Sequence, residues 1–131
     1  MIYKAENLEN LSALIEKIKD KNFSVETQYK FLKINKVVNN ELAIINEQKE
    51  LLVKQYAEYD ENGHIITTTD GGIQIKEECL EECLAKVIEL NQIQIQFPDL
   101  YFSLPELENL DLTLQELMYL DPFIKDWQKL K

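Results

Sequence analysis

Between Phe31 and Tyr56 apolar residues recur in steps of three and four: Phe31, Ile34, Val38, Leu42, Ile45, Leu52 and Tyr56, with Lys49 filling the one gap. That spacing lays them along one face of a 3.6-residue helix. Ser24 stands where an N-cap belongs, and nothing interrupts the pattern before Asp60-Glu61-Asn62-Gly63. A single helix over 25–58 is therefore predicted, about 51 Å long at 1.5 Å per residue. A fringe of Val37, Ile44 and Leu51 widens the stripe. Such a helix is expected to pack against more than one neighbour, with Val38, Leu42, Ile45 and Leu52 as a seam for self-association.

The other elements follow from the same reading. Ile2-Tyr3-Lys4 suits a short edge strand, and Leu8, Leu11, Leu14, Ile15 and Ile18 predict a first helix behind an Asn7 cap. Lys17, Lys19 and Lys21 near its end suit the helix dipole. At 60–76 the period changes: His64 to Thr69 is β-rich, Asp70-Gly71-Gly72 is a turn, and Ile73-Gln74-Ile75 alternates. This predicts a β-hairpin at the tip of a helical hairpin. A helix over 77–91, with Leu80, Leu84, Val87 and Ile88 on one side, is expected to fold back on the long one. Gln92 to Phe97 alternates as a strand with one wet face, its natural partner the N-terminal strand. Ser103-Leu104-Pro105-Glu106 and Thr113-Leu114-Gln115-Glu116 both fit a capping box, predicting two short helices. The predicted class is mainly α with small β elements, an α+β arrangement. It forms one domain over 1–131, with the helical hairpin and its β tip in 1–98 and an acidic, Leu- and aromatic-rich segment in 99–131.

Composition narrows the function. Apolar residues make up 45% of 131 positions and the mean hydropathy is −0.31, a folded rather than a disordered chain. No run of eighteen apolar residues is present, so no membrane span is expected. The opening Met-Ile-Tyr-Lys-Ala-Glu-Asn has no basic, greasy leader. The expected location is the cytosol, or a particle assembled in it. Residues 1–60 hold ten acids and nine lysines, whereas 61–131 hold fourteen acids and five lysines. There is no arginine, which argues against direct nucleic-acid binding. Solubility is the ordinary meaning of such acidity; the sharper one is a surface that meets a basic partner or imitates nucleic acid.

Candidate chemistry is thin. Cys79 and Cys83 lie four apart on one predicted helix, but a structural zinc wants four ligands and the only histidine, His64, belongs to the predicted tip. Neighbouring glutamates would raise a thiol pKa and blunt its reactivity. Glu77, Glu78, Glu81 and Glu82 read as a solvated face beside a helix N-terminus, since the Glu-x-x-His pairing of di-iron bundles is missing. Asp60-Glu61-Asn62-Gly63 lacks calcium-loop spacing and serves better as a helix stop. No Ser-His-Asp set, phosphate loop or dinucleotide glycine motif is present. The expectation is a protein without catalysis, cofactor or metal.

Fifteen large apolar residues crowd between Leu100 and Trp127, in a stretch rich in acids with one lysine. Core packing accounts for most of them. The remainder should form an acid-rimmed apolar patch, with Tyr119, Phe123 and Trp127 as anchors and Glu106, Glu108 and Asp111 as its charged rim.

Thr113-Leu114-Gln115-Glu116-Leu117 followed by Leu120-Asp121-Pro122-Phe123-Ile124 resembles the closing "LTPxEL…LEPFI" pattern of small phage- and prophage-encoded helical proteins of unknown function, of the Firmicutes type. Residues 54–63, Lys-Gln-Tyr-Ala-Glu-Tyr-Asp-Glu-Asn-Gly, are similar to the "KYGEKDENG" segment of the same proteins. The likeness covers about residues 25–124, with Leu114 in place of the proline and Gly71-Gly72 lengthening the tip. It implies a phage or prophage product and transfers no functional residues. Two functions are therefore expected to compete. One is a non-catalytic, homo-oligomeric virion or assembly protein acting on protein partners. The other is an acidic inhibitor of a host enzyme or defence system.

Overall fold

A computed structural model describes residues 2–124. The fold is mainly helical with one small two-stranded antiparallel sheet. The chain divides into two compact units, one built from residues up to Leu42 together with those from Gln94 onward, the other Ala43–Ile93.

In the first unit, β1 (Ile2–Lys4) pairs antiparallel with β2 (Gln94–Gln96), placing Tyr3 opposite Ile95. Alternation does the rest: Ile95 is buried between exposed Gln94 and Gln96. Helix α1 (Leu8–Ile18) buries all five of its predicted apolar residues. Asn7 occupies its N-cap, though its side chain makes no capping bond. Ser24 does cap α2 (Val25–Tyr56): its hydroxyl accepts the Thr27 N–H at 3.2 Å and its carbonyl the Gln28 N–H at 3.0 Å.

The two short helices of the tail are α4 (Leu104–Leu107) and α5 (Leu114–Leu120). At α5 the box is reciprocal, with Thr113 Oγ1 accepting the Glu116 N–H at 3.2 Å and Glu116 accepting the Thr113 N–H at 2.9 Å. Aromatic rings fill the core beneath them. Phe97, Phe102 and Phe123 are fully enclosed, Phe123 stacks on Tyr3 at 6.0 Å, and Phe31 stacks on Phe102 at 4.4 Å.

The second unit holds the last turns of α2, the tip, and α3 (Leu80–Asn91). The tip is more than the expected hairpin. Thr67 does face Ile73 across Asp70-Gly71-Gly72, but Tyr59 also faces Ile65 and Ala57 faces Ile75. Three segments eight residues apart thus each pair with the other two. Their backbones close a ring: the Glu58 N–H donates to Gln74 O, Gln74 N–H to Ile66 O, and Ile66 N–H to Glu58 O, at 2.8–2.9 Å. A second ring repeats the order, Asp60 to His64, Thr68 to Gly72, and Lys76 back to Tyr56. This pseudo-threefold closure removes the free edges that leave a two-stranded ribbon marginal. Among the described residues no helix is long and apolar enough to cross a membrane.

Candidate functional site

The residues expected to meet a partner separate into buried, half-buried and exposed ones. Val38 and Ile45 are closed within the chain, and Leu42 and Leu52 are half-buried. Val38 and Ile45 are thus core residues within the chain and present no surface to a second copy, whereas Leu42 and Leu52 keep part of theirs. Phe123 has no exposed surface, because Tyr3 and Phe97 enclose its ring, so it is no anchor for a partner. Tyr119 is half-buried: its carbonyl accepts the Tyr3 hydroxyl at 2.9 Å, and Gln115 donates to its own hydroxyl at 3.0 Å. Burial of Tyr3, with Tyr119 beside it, pushes the Tyr3 phenol pKa well up. Trp127 lies outside the described residues.

The acidic rim also separates. Burial would raise the Glu106 carboxyl, but the Ser103 N–H, the Thr27 hydroxyl at 2.5 Å and Lys30 at 2.9 Å outweigh it and hold the pKa down at about 2. Glu106 therefore ties α4 to α2 and is not a free surface charge. Glu116 is likewise held below the usual carboxylate range by Lys17 at 2.7 Å. Glu108 and Asp111 are exposed, Asp111 in a left-handed turn at φ 52° and 3.7 Å from Lys21.

Exposed apolar residues occur in both units: the first leaves Val25, Leu114 and Met118 in solvent, and the second is the poorer in buried ones. Only Ile45, Tyr56, Ala57 and Cys83 are buried there, while Ile44, Leu51, Tyr59, Ile73, Leu80, Leu84, Ile88 and Ile93 are exposed. On α3 the expectation that Leu80, Leu84 and Ile88 pack against the long helix is overturned. They are 46%, 54% and 57% exposed, and Cys83 takes the buried position. The apolar arc of α3 runs from Leu90 and Cys83 through Val87 to Leu84 and Ile88 at 100° per residue, wider than one neighbouring helix covers. That width was the sequence signal for an uncovered face.

Leu80, Leu84 and Ile88 stand at i, i+4 and i+8, one above the other. By the same periodicity Glu81 and Glu89, with Ala85 between them, run along one flank, and Glu77 stands exposed in the 3₁₀ turn that precedes α3. Lys86 is engaged already, 5.7 Å from the Tyr56 ring centre and 3.9 Å from Glu82. Residues 43–93 hold eleven acids against four lysines, −7 of the chain's −10.

Chemistry has less to work with. Among the described residues no three His, Cys, Asp or Glu side chains are grouped to hold a metal. Cys83 is buried and Cys79 half-buried, both as free thiols. An open cleft of about 310 Å³ between α1 and α2 is lined by Ile15, Ile18, Phe23, Phe31 and Leu32, and its one charged residue, Lys19, is paired to Glu16 at 2.5 Å. No nucleophile faces a base in either place. Compared with protein-family models, curated proteins and solved structures, the chain matches none.

Proposed function

We propose that this chain acts without catalysis, through protein–protein interaction, as a phage or prophage product of the virion-assembly type. The observation that carries the reading is the exposed row Leu80, Leu84 and Ile88 on α3, in a unit whose exposed large apolar residues outnumber its buried ones. Four buried side chains are a small core for some fifty residues, and such units commonly complete their apolar burial against another molecule.

One feature favours the second reading, an acidic inhibitor of a host enzyme or defence system. The exposed row lies in the unit that carries most of the negative charge, so a basic protein is the better match to it. Both readings share one test. Tagged wild type and Leu84→Gln/Ile88→Gln are purified from cells producing phage, and retained proteins are compared at equal load. A protein held at fixed stoichiometry by wild type and lost from the equally stable variant supports interaction through α3. A virion component in that place favours assembly, and a host enzyme favours inhibition. Equal retention by both would remove α3 from the proposal.

A further inference from the structure

Resting on that reading, we infer that the α3 face is a docking site for a basic amphipathic helix, not for a second copy of this chain.

Shape and charge both enter. Leu80, Leu84 and Ile88 extend over about 12 Å of helix, which a partner helix matches with three apolar side chains at i, i+3 or i+4, and i+7. The exposed Glu81 and Glu89 of α3, with Glu77 in the turn before it, demand cations along the edge of that partner. Among the described residues, Glu77, Glu78 and Glu81 form no ion pair, so their charges stand available to an incoming lysine or arginine. The tip adds to the field. Its pseudo-threefold relates the turns 60–63, 68–71 and 76–79, which carry Asp60, Glu61, Asp70, Glu77 and Glu78 against the single Lys76.

The same charges count against self-pairing. A second copy would bring one −7 unit onto another. Lys86, the one cation within α3, already lies 5.7 Å from the Tyr56 ring centre and 3.9 Å from Glu82, so one lysine per copy would face the row of glutamates. The closed ring of the tip also leaves no strand edge to pair with a copy.

The test uses the full chain, ¹⁵N-labelled, and an eighteen-residue synthetic helix of leucine and lysine with heptad-spaced leucines. A leucine–glutamate helix of equal spacing is the control. Saturable shift changes are expected at 77–91 with the lysine helix and none with the control. Affinity should fall about tenfold in Leu84→Gln/Ile88→Gln and about tenfold between low and physiological salt. The replaced side chains are already exposed, so folding is expected to survive, and Leu114→Gln/Met118→Gln on α5 should bind as wild type. Shifts spread over all acidic residues and indifferent to Leu84→Gln/Ile88→Gln would overturn the inference. So would concentration-dependent broadening of 77–91 without peptide, which marks a second copy. If Leu84→Gln/Ile88→Gln loses its cellular partner while the lysine helix fails to map to α3, the basic-helix inference falls and the interaction reading stands.

Discussion

The carboxylate of Glu106 lies 2.9 Å from the ammonium of Lys30, 76 positions earlier in the chain. Its second oxygen accepts the Thr27 hydroxyl, so one side chain of a four-residue helix holds both the first turns of α2 and its own cap. Because the folded pKa of about 2 lies below the ordinary 4.5, the tie stabilises fully above pH 4.5 and is lost as pH falls toward 2. Denaturant unfolding across that window should show the loss. Glu106→Gln should cost about 1–2 kcal/mol at pH 7, the pair being partly open to water, and little at pH 2. Parallel curves for both proteins at every pH would mean that the tie contributes nothing.

The closed tip predicts a glycine effect that space alone would not. Gly63 and Gly71 adopt φ of 79° and 88°, yet nothing lies within 4 Å of a Cβ added to either. Each is the donor of its turn, Gly63 to Asp60 O and Gly71 to Thr68 O, both at 3.0 Å. Gly63→Ala and Gly71→Ala should therefore each lower stability by about 1 kcal/mol through backbone strain. Unchanged melting temperatures for both would show that the tip relaxes at no cost. At the third position the chain winds into a 3₁₀ turn and α3, so Cys79 closes the turn to Lys76 O at 2.9 Å without a glycine.

That ring also marks where sequence reading stops. Helices α1 and α2 were legible because Leu8 to Ile18 and Phe31 to Tyr56 carry their period locally, and the boxes at Ser103 and Thr113 because a cap spans four residues. The 57–75 ring needs three segments at once, and its trace was only the pair Asp60–Gly63 and Thr68–Gly71, eight residues apart. The exposed row of α3 escaped for a related reason. Cys83 and Leu84 both belong to the apolar arc of α3, and which of them is covered depends on where the partner helix lies. Phe123 and Leu114 stand equally in the greasy tail, yet one is sealed by Tyr3 and Phe97 and the other is left in solvent.

The aromatic cluster yields a paired prediction. Phe123→Ala empties a fully enclosed ring site and should cost about 3–5 kcal/mol. Tyr3→Phe keeps the stacking at 6.0 Å and deletes only the hydroxyl that donates to Tyr119 O, leaving that carbonyl to seek water, at about 1 kcal/mol. Thermal unfolding of both variants checks the order. A mild Phe123→Ala would restore it as a candidate surface anchor.

Val38 decides the meaning of the long stripe. It is fully buried within the single chain, so Val38→Asp places a carboxylate where neither water nor a cation reaches it. The expected result is a loss of several kcal/mol, visible as a large drop in melting temperature. Light scattering on wild type and variant, below the variant's melting point, should return the same mass. A fall in mass with the melting temperature preserved would instead mean that the stripe joins copies, and that Val38 is covered by a neighbour rather than by its own chain.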